Sequence, residues 1–547
     1  MQGKVRVRIR RRGLRFITAA CLVMSLLAPN AVAEVGAQKC FGKKATVVAK
    51  AGQETKGTRK TDVIIGTRGS DSIDGRGGND LICGRGGDDV LYGGKGSDRL
   101  NGGRDSGYGD TFYPGPGDDI IDGGPEGSGM GLSDFGDWVL YEDATGPVHA
   151  DLETGEATAV GLGSDSLADI EQVSGGPYDD LLTGNEATNW LLGGNGDDVL
   201  DANGGNLDSM NPGLGDDTVI GTPGSRNWVG YEDTPSEGAI IDLTSQTVTG
   251  VGNDSLSNIT DAGGTLGADT LIGTDGPNYL FGQSGDDTLN GNGNDADLSD
   301  PASFIGGFNL DVLVGDCGCF GTGENELGDD SFIGGSGVTM VSFVNSTAPA
   351  IIDLSEGTAS GEGSDTLTGV NAVVGSDHDD QIIGTDGSDL FEGSPGNDSI
   401  NGGEGTDVVI AFHALGGTEI DLDAGTMTGK FPGFVGGMFG FYDSDTTLTN
   451  IDDAWGSLDF PDEIIGDENN NKLVGMSGDD SLSGAGGDDH LDGMEGTDTA
   501  NGGSGTDTCV GIEEAEACEE ESPSVSRQVG KARWIRTART GPLVRMY

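Results

Sequence analysis

Along much of the chain, bulky apolar residues recur every nine positions, each in a short run flanked by glycine and acidic residues. The segment 75–103 reads GRGGNDLIC GRGGDDVLY GGKGSDRLN GG, which is one phrase written three times. Its pattern is G-G-x-G-x-D-x-U-x, where U is a bulky apolar residue. Glycines at positions one, two and four favour a tight turn, because glycine tolerates positive φ angles, and the last three residues favour a short strand. The pattern predicts a solenoid of turns and strands.

The apolar residue at position eight is the candidate core residue. A three-residue strand is too short to be stable alone, so its one bulky side chain has to point into a shared core. If two units make one coil, successive strands lie on opposite sides and residues 18 apart in the chain stack. This geometry predicts a flattened parallel coil with a thin core. The position-eight residues are Ile73, Ile82, Leu91, Leu100, Leu182, Leu200, Leu271, Leu289, Ile400, Leu482 and Leu491.

A longer repeat separates the blocks of nine-residue units. One copy begins at Asp137 and reads DWVLYEDATGPVHADLETGEATAVGLGSDSLADIEQV. Alternation such as VHADL in this copy predicts strands. We predict wider coils that continue the same solenoid, whereas small separate β domains, the alternative, would leave a sheet edge at each block. A shared Asp-Leu pair marks the four copies and lies at 151–152, 242–243, 353–354 and 421–422.

The two patterns divide the chain into twelve segments. A predicted signal peptide (1–33) is followed by an N-terminal strand and linker (34–61), and a basic tail that we predict to be disordered ends the chain (522–547). The five blocks of nine-residue units are 62–124, 175–221, 264–334, which contains an irregular loop, 375–410 and 457–521. The four wider-coil inserts are 125–174, 222–263, 335–374 and 411–456.

The first 33 residues predict export. A basic stretch (4–15) precedes an apolar run (16–27) and an A-V-A cleavage pattern (31–33). The apolar run is shorter than the ~20 residues that a membrane span needs, which makes an uncleaved anchor helix the less favoured alternative. We therefore predict a secreted, extracellular protein, with association at the cell surface as an open possibility.

Composition and charge argue against an ordinary domain with a thick core. Glycine supplies 103 of 547 residues, hydrophobic residues 34% and aromatic residues 6%. The formal net charge is -63, and residues 61–521 hold 90 Asp and Glu against nine Lys and Arg. A compact chain with this charge repels itself unless cations bind, and the same charge excludes nucleic acid as a partner.

Position six carries the candidate chemistry. It is Asp in nearly every unit and Asn in three, Asn189, Asn278 and Asn471, although Asn serves a turn almost as well. Stacked aspartates would lie ~4.8 Å apart, where like charges repel. Oxygen ligands without thiolate or imidazole suit Ca²⁺ better than Mg²⁺. The predicted metal ligands are Asp71, Asp80, Asp89, Asp98, Asp110, Asp119, Asp180, Asp198, Asp217, Asp269, Asp287, Asp380, Asp389, Asp398, Asp407, Asp462, Asp480, Asp489, Asp498 and Asp507.

Two simpler interpretations compete with the metal hypothesis. Aspartate is common in turns because its side chain bonds its own backbone, with no metal needed. A disordered acidic linker would also be rich in Gly and Asp, but the strict period and the apolar position eight disfavour it. Close carboxylate pairs also imitate a glycosidase pair, yet their repetition indicates metal binding.

These units resemble the RTX, or haemolysin-type calcium-binding, nonapeptide repeats. The resemblance implies an all-β, right-handed parallel beta-roll or beta-helix solenoid, in which position-six aspartates and nearby carbonyls hold multiple Ca²⁺ ions. It also implies weaker or empty sites at Asn189, Asn278, Thr339 and Asn471, which replace the acid. The cleavable leader resembles that of exported repeat proteins of high-GC Gram-positive bacteria.

Six cysteines remain after the leader and allow 15 pairings. We predict that Cys40 pairs with Cys83 and that Cys509 pairs with Cys518. The remaining two lie at 317 and 319, where a zinc site is disfavoured because no His or second Cys pair lies nearby.

Enzyme motifs are not found in the sequence. None of the four histidines, at 149, 378, 413 and 490, begins an H-E-x-x-H motif, and G-x-S-x-G is missing. We interpret the segment 104–107 as a loop insertion. Outside the leader there is no apolar run of about 18 residues, so we predict no membrane insertion.

We therefore predict a secreted, non-enzymatic calcium-binding repeat protein whose beta-roll folds on binding many Ca²⁺ ions outside the cell. Its role would be structural or would lie in surface interaction. The alternative is a calcium-dependent adhesin for carbohydrate or another surface, or an accessory module of an extracellular enzyme. Calcium ions are the predicted partners, with cell-surface polysaccharide as a candidate, and the sequence leaves the oligomeric state open.

Overall fold

The fold is described from a computed structural model of the chain. The described residues are 39–105, 107, 109–125, 136–232, 234, 238–294, 296, 310–316, 328–344, 346–361, 363–435, 438–518 and 520–521. The predicted signal peptide, the two cysteines at 317 and 319 and the basic tail lie outside them. Within the described part of the chain, no helix is long and apolar enough to cross a membrane.

The strands of successive units alternate between two long sheets. Ser72 pairs in parallel with Val90 in the first sheet, and Val63 pairs in parallel with Leu81 in the second. Both partners lie 18 residues apart, so two units make one coil. The predicted all-β parallel solenoid is confirmed.

All strand pairs of the first sheet are parallel, and each strand contributes one layer. In order, the strands are Thr55–Lys56, Ser72–Asp74, Val90–Tyr92, Thr111–Tyr113, Trp138–Leu140, Gln172–Ser174, Trp190–Asn195, Asp208–Leu214, Asn227–Gly230, Asp261–Gly263, Tyr279–Gln283, Asp311–Asp316, Thr339–Ser342, Ala372–Val374, Leu390–Glu392, Val408–Ile410, Asp453–Trp455, Lys472–Val474, His490–Asp492, Thr508–Val510 and Glu520–Glu521.

The second sheet contains every remaining strand except four that form two small ribbons. In chain order its strands are Val47–Val48, Val63–Ile65, Leu81–Gly86, Arg99–Arg104, Ile120–Asp122, Val148–Asp151, Glu156–Ala159, Gly163–Ala168, Leu181–Thr183, Val199–Asp201, Thr218–Ile220, Ile240–Asp242, Thr247–Thr249, Asn253–Ser257, Thr270–Ile272, Thr288–Asn290, Ser331–Ile333, Ile351–Asp353, Thr358–Ser360, Ser364–Thr368, Gln381–Ile383, Ser399–Asn401, Glu419–Asp421, Thr426–Val435, Met438–Thr449, Glu463–Ile465, Ser481–Ser483, Thr499–Asn501 and Glu514–Glu516. The ribbons pair Lys39–Cys40 with Lys43–Lys44 and Ser477–Gly478 with Glu495–Gly496.

Each wider coil adds three strands to the second sheet instead of one. In the first of these coils, Glu156–Ala159 runs antiparallel to both Val148–Asp151 and Gly163–Ala168. The two outer strands pair in parallel with the coils on either side, at Leu181–Thr183 and Ile120–Asp122. The same arrangement recurs at 240–257, 351–368 and 419–449. The sheet therefore runs through all four inserts, as the prediction of wider coils requires.

The core is a single file of apolar side chains between the two sheets. Every position-eight residue predicted to point inward is at most 2% exposed. A second apolar cluster, which the sequence analysis did not predict, lies on the opposite face of the first sheet between Tyr279 and Met476. There the residues flanking position eight are also bulky, as in Val312 and Val314 on either side of Leu313.

Both predicted disulfides are present. Cys40 is bonded to Cys83, with 5.8 Å between their Cα atoms, and it packs against Val63, Ile65 and Leu81. Near the other end, Cys509 is bonded to Cys518, with a Cα separation of 5.9 Å. The disulfides therefore tie down the first and the last coils of the roll.

Candidate metal centres

The twenty predicted aspartates lie along the two edges of the roll, where the turns join the strands. Position six comes directly before a strand, so each aspartate side chain lies at a corner of its coil. None of the twenty is more than 6% exposed. Buried carboxylates need hydrogen bonds or a cation, because an unpaired buried charge is strongly destabilising.

Backbone amides connect these carboxylates into ladders. The N–H of Asp80 donates to Oδ1 of Asp98 at 2.6 Å, and the N–H of Asp180 donates to Oδ1 of Asp198 at 2.7 Å. The predicted stacking is therefore present, but one oxygen of each carboxylate faces an amide rather than the next carboxylate. The step is 21 residues from Asp89 to Asp110, where the chain has extra residues. The same bond joins Asp71 to Asp89, Asp98 to Asp119, Asp198 to Asp217, Asp269 to Asp287, Asp380 to Asp398, Asp389 to Asp407, Asp462 to Asp480, Asp480 to Asp498 and Asp489 to Asp507.

The second oxygen, Oδ2, divides the aspartates into two classes. In a closed turn it accepts from the N–H of position two in its own unit. Oδ2 of Asp389 accepts from the N–H of Thr385 at 2.6 Å and from its hydroxyl at 2.8 Å. In these turns protein donors satisfy both carboxylate oxygens, except at Asp71 and Asp389, where Oδ1 has no hydrogen-bond partner among the described residues. The closed turns are those of Asp71, Asp180, Asp269, Asp380, Asp389 and Asp462, and Oδ2 of Asp398 is bonded by a hydroxyl instead.

The three asparagine units are also closed turns. Oδ1 of Asn189 accepts from the N–H of Asn185 at 2.6 Å, and its amide nitrogen donates to the carbonyl of Glu171 at 3.2 Å. The amide nitrogens of Asn278 and Asn471 make the same kind of bond, at 2.6 and 2.7 Å. A neutral amide therefore suits a closed turn, which agrees with the expectation that these units bind metal weakly or not at all.

In an open turn the residue at position two has a positive φ angle, and no hydrogen bond runs from its N–H to the carboxylate. The φ angle is 89° at Arg85 and 73° at Met476. A non-glycine residue pays for this conformation with ~1–2 kcal/mol, and such strain persists where the surroundings require it. The open turns are those of Asp80, Asp89, Asp98, Asp110, Asp119, Asp198, Asp217, Asp287, Asp407, Asp480, Asp489, Asp498 and Asp507.

Twelve of these open-turn aspartates, all except Asp287, have an Oδ2 atom that is buried without a hydrogen-bond partner among the described residues. In ten of the twelve turns the atom lies against a glycine at position one, and in the turns of Asp119 and Asp217 position one is proline. A Cβ atom at Gly193 would lie 2.4 Å from Oδ2 of Asp198 and 2.6 Å from the carbonyl oxygen of Pro212. Carboxylate and carbonyl oxygens therefore converge beside the glycine, and such an oxygen set suits Ca²⁺.

Burial also raises the pKa of several of these open-turn aspartates. Burial, followed by neighbouring carboxylates, raises the pKa of Asp89 to about 8 and that of Asp119 to about 8. It also raises the pKa of Asp198 to about 7. The ionised form of these three carboxylates is thus disfavoured near neutral pH unless a cation lies beside it. The residues present therefore fit a bound divalent cation.

At the first two wider coils a tyrosine side chain supplies a donor to a ladder. The hydroxyl of Tyr141 donates to Oδ2 of Asp165 at 3.0 Å, and Tyr231 bonds to Asp254 in the same way at 2.6 Å. These two aspartates were not predicted as ladder members, because they lie outside the nine-residue pattern. The signal that could have identified them is the tyrosine shared by WVLYED and WVGYED.

Neutralising one open-turn aspartate is expected to weaken one metal site. Asp198→Asn keeps an oxygen for the N–H of Asp180 but removes the charge, so we expect calcium binding at this turn to weaken by about tenfold or more. The neighbouring Asp197 is exposed and accepts from the N–H of Asp216. Asp197→Asn makes the same change in net charge one residue away and should leave calcium binding unaltered. Calorimetric calcium titration of both variants checks the prediction, and equal isotherms would contradict it.

A family model of the RTX calcium-binding nonapeptide repeat matches the chain in several overlapping or separate segments. The matched segments are 57–91, 84–109, 174–206, 263–296, 374–409, 465–500 and 483–511. No match was found among curated proteins. Most of the open turns lie in the matched segments, and their buried oxygens fit the calcium chemistry that the family description states. The chain therefore contains several RTX calcium-binding nonapeptide repeats, which together match less than half of its length.

Proposed function

We propose that this protein is a secreted calcium-binding repeat protein whose roll folds on binding many Ca²⁺ ions outside the cell. The observation that carries the proposal is the set of twelve buried Oδ2 atoms in open turns without a hydrogen-bond partner among the described residues. A divalent ion beside each atom would balance charges that the thin core cannot tolerate alone. The role of the folded roll is structural or lies in surface interaction.

The proposed coupling of folding to calcium follows from the small core. Ordering each residue costs about 1–2 kcal/mol of backbone entropy, and each three-residue strand buries only one bulky side chain in the central file. Sites that exist only in the folded chain add their binding free energy to its stability. Metal binding and folding are therefore one reaction in this proposal.

The extracellular location is supported by the leader and by the class of site. Extracellular calcium modules have Kd values of about 10⁻⁴ to 10⁻³ M, so they fill outside the cell and stay empty where calcium is scarce. Folding would then wait for export. Recovery of the protein from the culture medium with Glu34 as its first residue would support this part of the proposal, and retention of the leader would contradict it.

Calcium-dependent surface binding is the second candidate function, and one feature favours it. The fourth wider coil carries a long hairpin, Thr426–Val435 with Met438–Thr449, in which ten residue pairs are in register. Its sequence from 431 to 442, FPGFVGGMFGFY, contains no charge. Phe441 is 55% exposed. A glycan array with and without Ca²⁺, repeated with Phe441→Ser, would test this function.

Equilibrium dialysis of the mature chain against ⁴⁵Ca²⁺ tests the main proposal. We expect roughly one bound ion per open turn, with weaker uptake of Mg²⁺, because Mg²⁺ requires a smaller octahedral site. Catalysis forms no part of the proposal, since the carboxylates repeat along the whole roll. No uptake of calcium at millimolar concentration would refute it.

A further inference from the structure

Three buried carboxylates lie together where the first block departs from its nine-residue spacing. The unit that begins at Gly102 has three extra residues, and Asp105 is one of them. One carboxylate oxygen each from Asp105, Asp110 and Asp137 lies within 4.8 Å of one from each of the other two. Asp105 is 5% exposed, and the other two aspartates are 0% exposed.

Two of the three residues belong to a ladder, and the third does not. The N–H of Asp89 donates to Oδ1 of Asp110 at 2.6 Å, and the N–H of Asp110 donates to Oδ1 of Asp137 at 2.5 Å. Asp105 lies outside this periodic chain of bonds and adds a carboxylate that a nine-residue unit would not contain. The extra residues therefore raise the number of charges at this one turn.

An unpartnered oxygen also marks the cluster. Asp110 lies in an open turn, because Gly103 has a φ angle of 124°. Its Oδ2 atom is buried and has no hydrogen-bond partner among the described residues. A Cβ atom at Gly102 would lie 1.7 Å from this oxygen, so only glycine permits the arrangement. The oxygen is thus held against the start of the unit that supplies Asp105.

We propose that Asp105, Asp110 and Asp137 together hold one Ca²⁺ ion, and hold it more tightly than an ordinary open turn does. The inference rests on the proposed calcium-binding function. Oxygens that bind one Ca²⁺ ion at 2.3–2.6 Å can be at most ~5 Å apart, which matches the separation in the cluster. Calcium affinity rises with the number of charged ligands, and this site has three carboxylates in close reach.

Calcium titration of the mature chain by calorimetry tests the proposal, with Ca²⁺ alone as the probe. We expect a first step of one ion per chain, at least about tenfold tighter than the remaining steps. Asp105→Asn should remove this first step and leave the remaining steps unchanged, since it alters no aspartate at position six. Asp118→Asn is the matched control, because Asp118 is an exposed acid in the next unit.

A second variant tests the proposal even if Asp105→Asn fails to fold. Deletion of residues 105–107 restores a nine-residue unit and should give a folded roll without the tight step. Persistence of the tight step in either variant would overturn the inference, as would a native isotherm with one class of site only. Failure of the proposed function looks different, because the native chain would then bind no calcium at all.

Discussion

In excess chelator at neutral pH, the mature chain is expected to lose most of its β-structure and to regain it when millimolar Ca²⁺ is added. The reason is the twelve open turns, each with a buried carboxylate oxygen that has no hydrogen-bond partner among the described residues. When free calcium is about ten times Kd, each site adds about 1.4 kcal/mol to the stability of the folded chain. A dozen such contributions exceed the roughly 5–15 kcal/mol that separates an ordinary folded domain from its unfolded chain.

Far-ultraviolet circular dichroism during a calcium titration measures this transition. Mg²⁺ at the same concentration is the control for general screening of charge, and it should restore much less of the signal. A chelated chain with the same spectrum and the same thermal midpoint as the calcium-bound chain would contradict the prediction. The disulfides should remain intact throughout, because they do not depend on the metal.

Acidification is expected to stabilise the folded chain when calcium is removed, although less than calcium does. Burial raises the pKa of Asp217 to about 8, that of Asp480 to about 7 and that of Asp98 to about 6, against an ordinary value of 3.8. At a pH between 3.8 and the raised pKa of each group, the folded, metal-free chain binds protons that the unfolded chain has lost. The stability of the folded chain therefore increases as the pH falls. The contribution is fully present below about pH 4 and is lost as the pH rises through about 6 to 8.

Far-ultraviolet circular dichroism in chelator between pH 8 and pH 5, at a fixed temperature, checks the effect. We expect the β-structure to increase on acidification, and the increase should persist in 1 M NaCl, because buried carboxyls are screened less than surface charges. With limiting calcium present the same acidification should weaken calcium binding, since protons and Ca²⁺ compete for the same oxygens. A content of β-structure that does not change, or that falls, from pH 8 to pH 5 in chelator would contradict the prediction.

The features that follow from the nine-residue period could be predicted from the sequence. The register of Ser72 on Val90 follows directly from two units per coil. The inward direction of position eight follows from the alternation of side chains in a strand. Both depend on local spacing alone, which is why the parallel roll was predictable down to single pairs.

The distinction between open and closed turns was not predicted, although part of its signal is in the sequence. Thr385 at position two accompanies a closed turn, and Arg85 at the same position accompanies an open one. Position six alone cannot separate them, because the direction of the position-two N–H decides whether the carboxylate is satisfied. The second apolar cluster was missed for a related reason. Whether Val312 is buried depends on what covers the outer face of its sheet, which no local pattern states.

The role proposed for Asp105 could not be predicted from the sequence, for a different reason. An insertion interrupts the period, and the spacing argument that locates the position-six carboxylates stops there. Asp137 is separated from Asp110 by 27 residues, so only the folded coil shows that their ladder bond exists. Departures from a repeat thus carry information that the repeat itself cannot supply.

The ladders have a direction, and it makes the two ends of the molecule unlike. In each ladder bond the later coil provides the carboxylate and the earlier coil provides the amide, down to Asp498, whose N–H donates to Oε2 of Glu513 at 2.7 Å. Export led by the N-terminal leader would deliver the earlier coil first, so every ladder bond stays incomplete until the next coil arrives. Assembly would then run one step behind export, and shortening the chain from its C-terminus would leave a backbone amide without its carboxylate, which shortening from its N-terminus would not do.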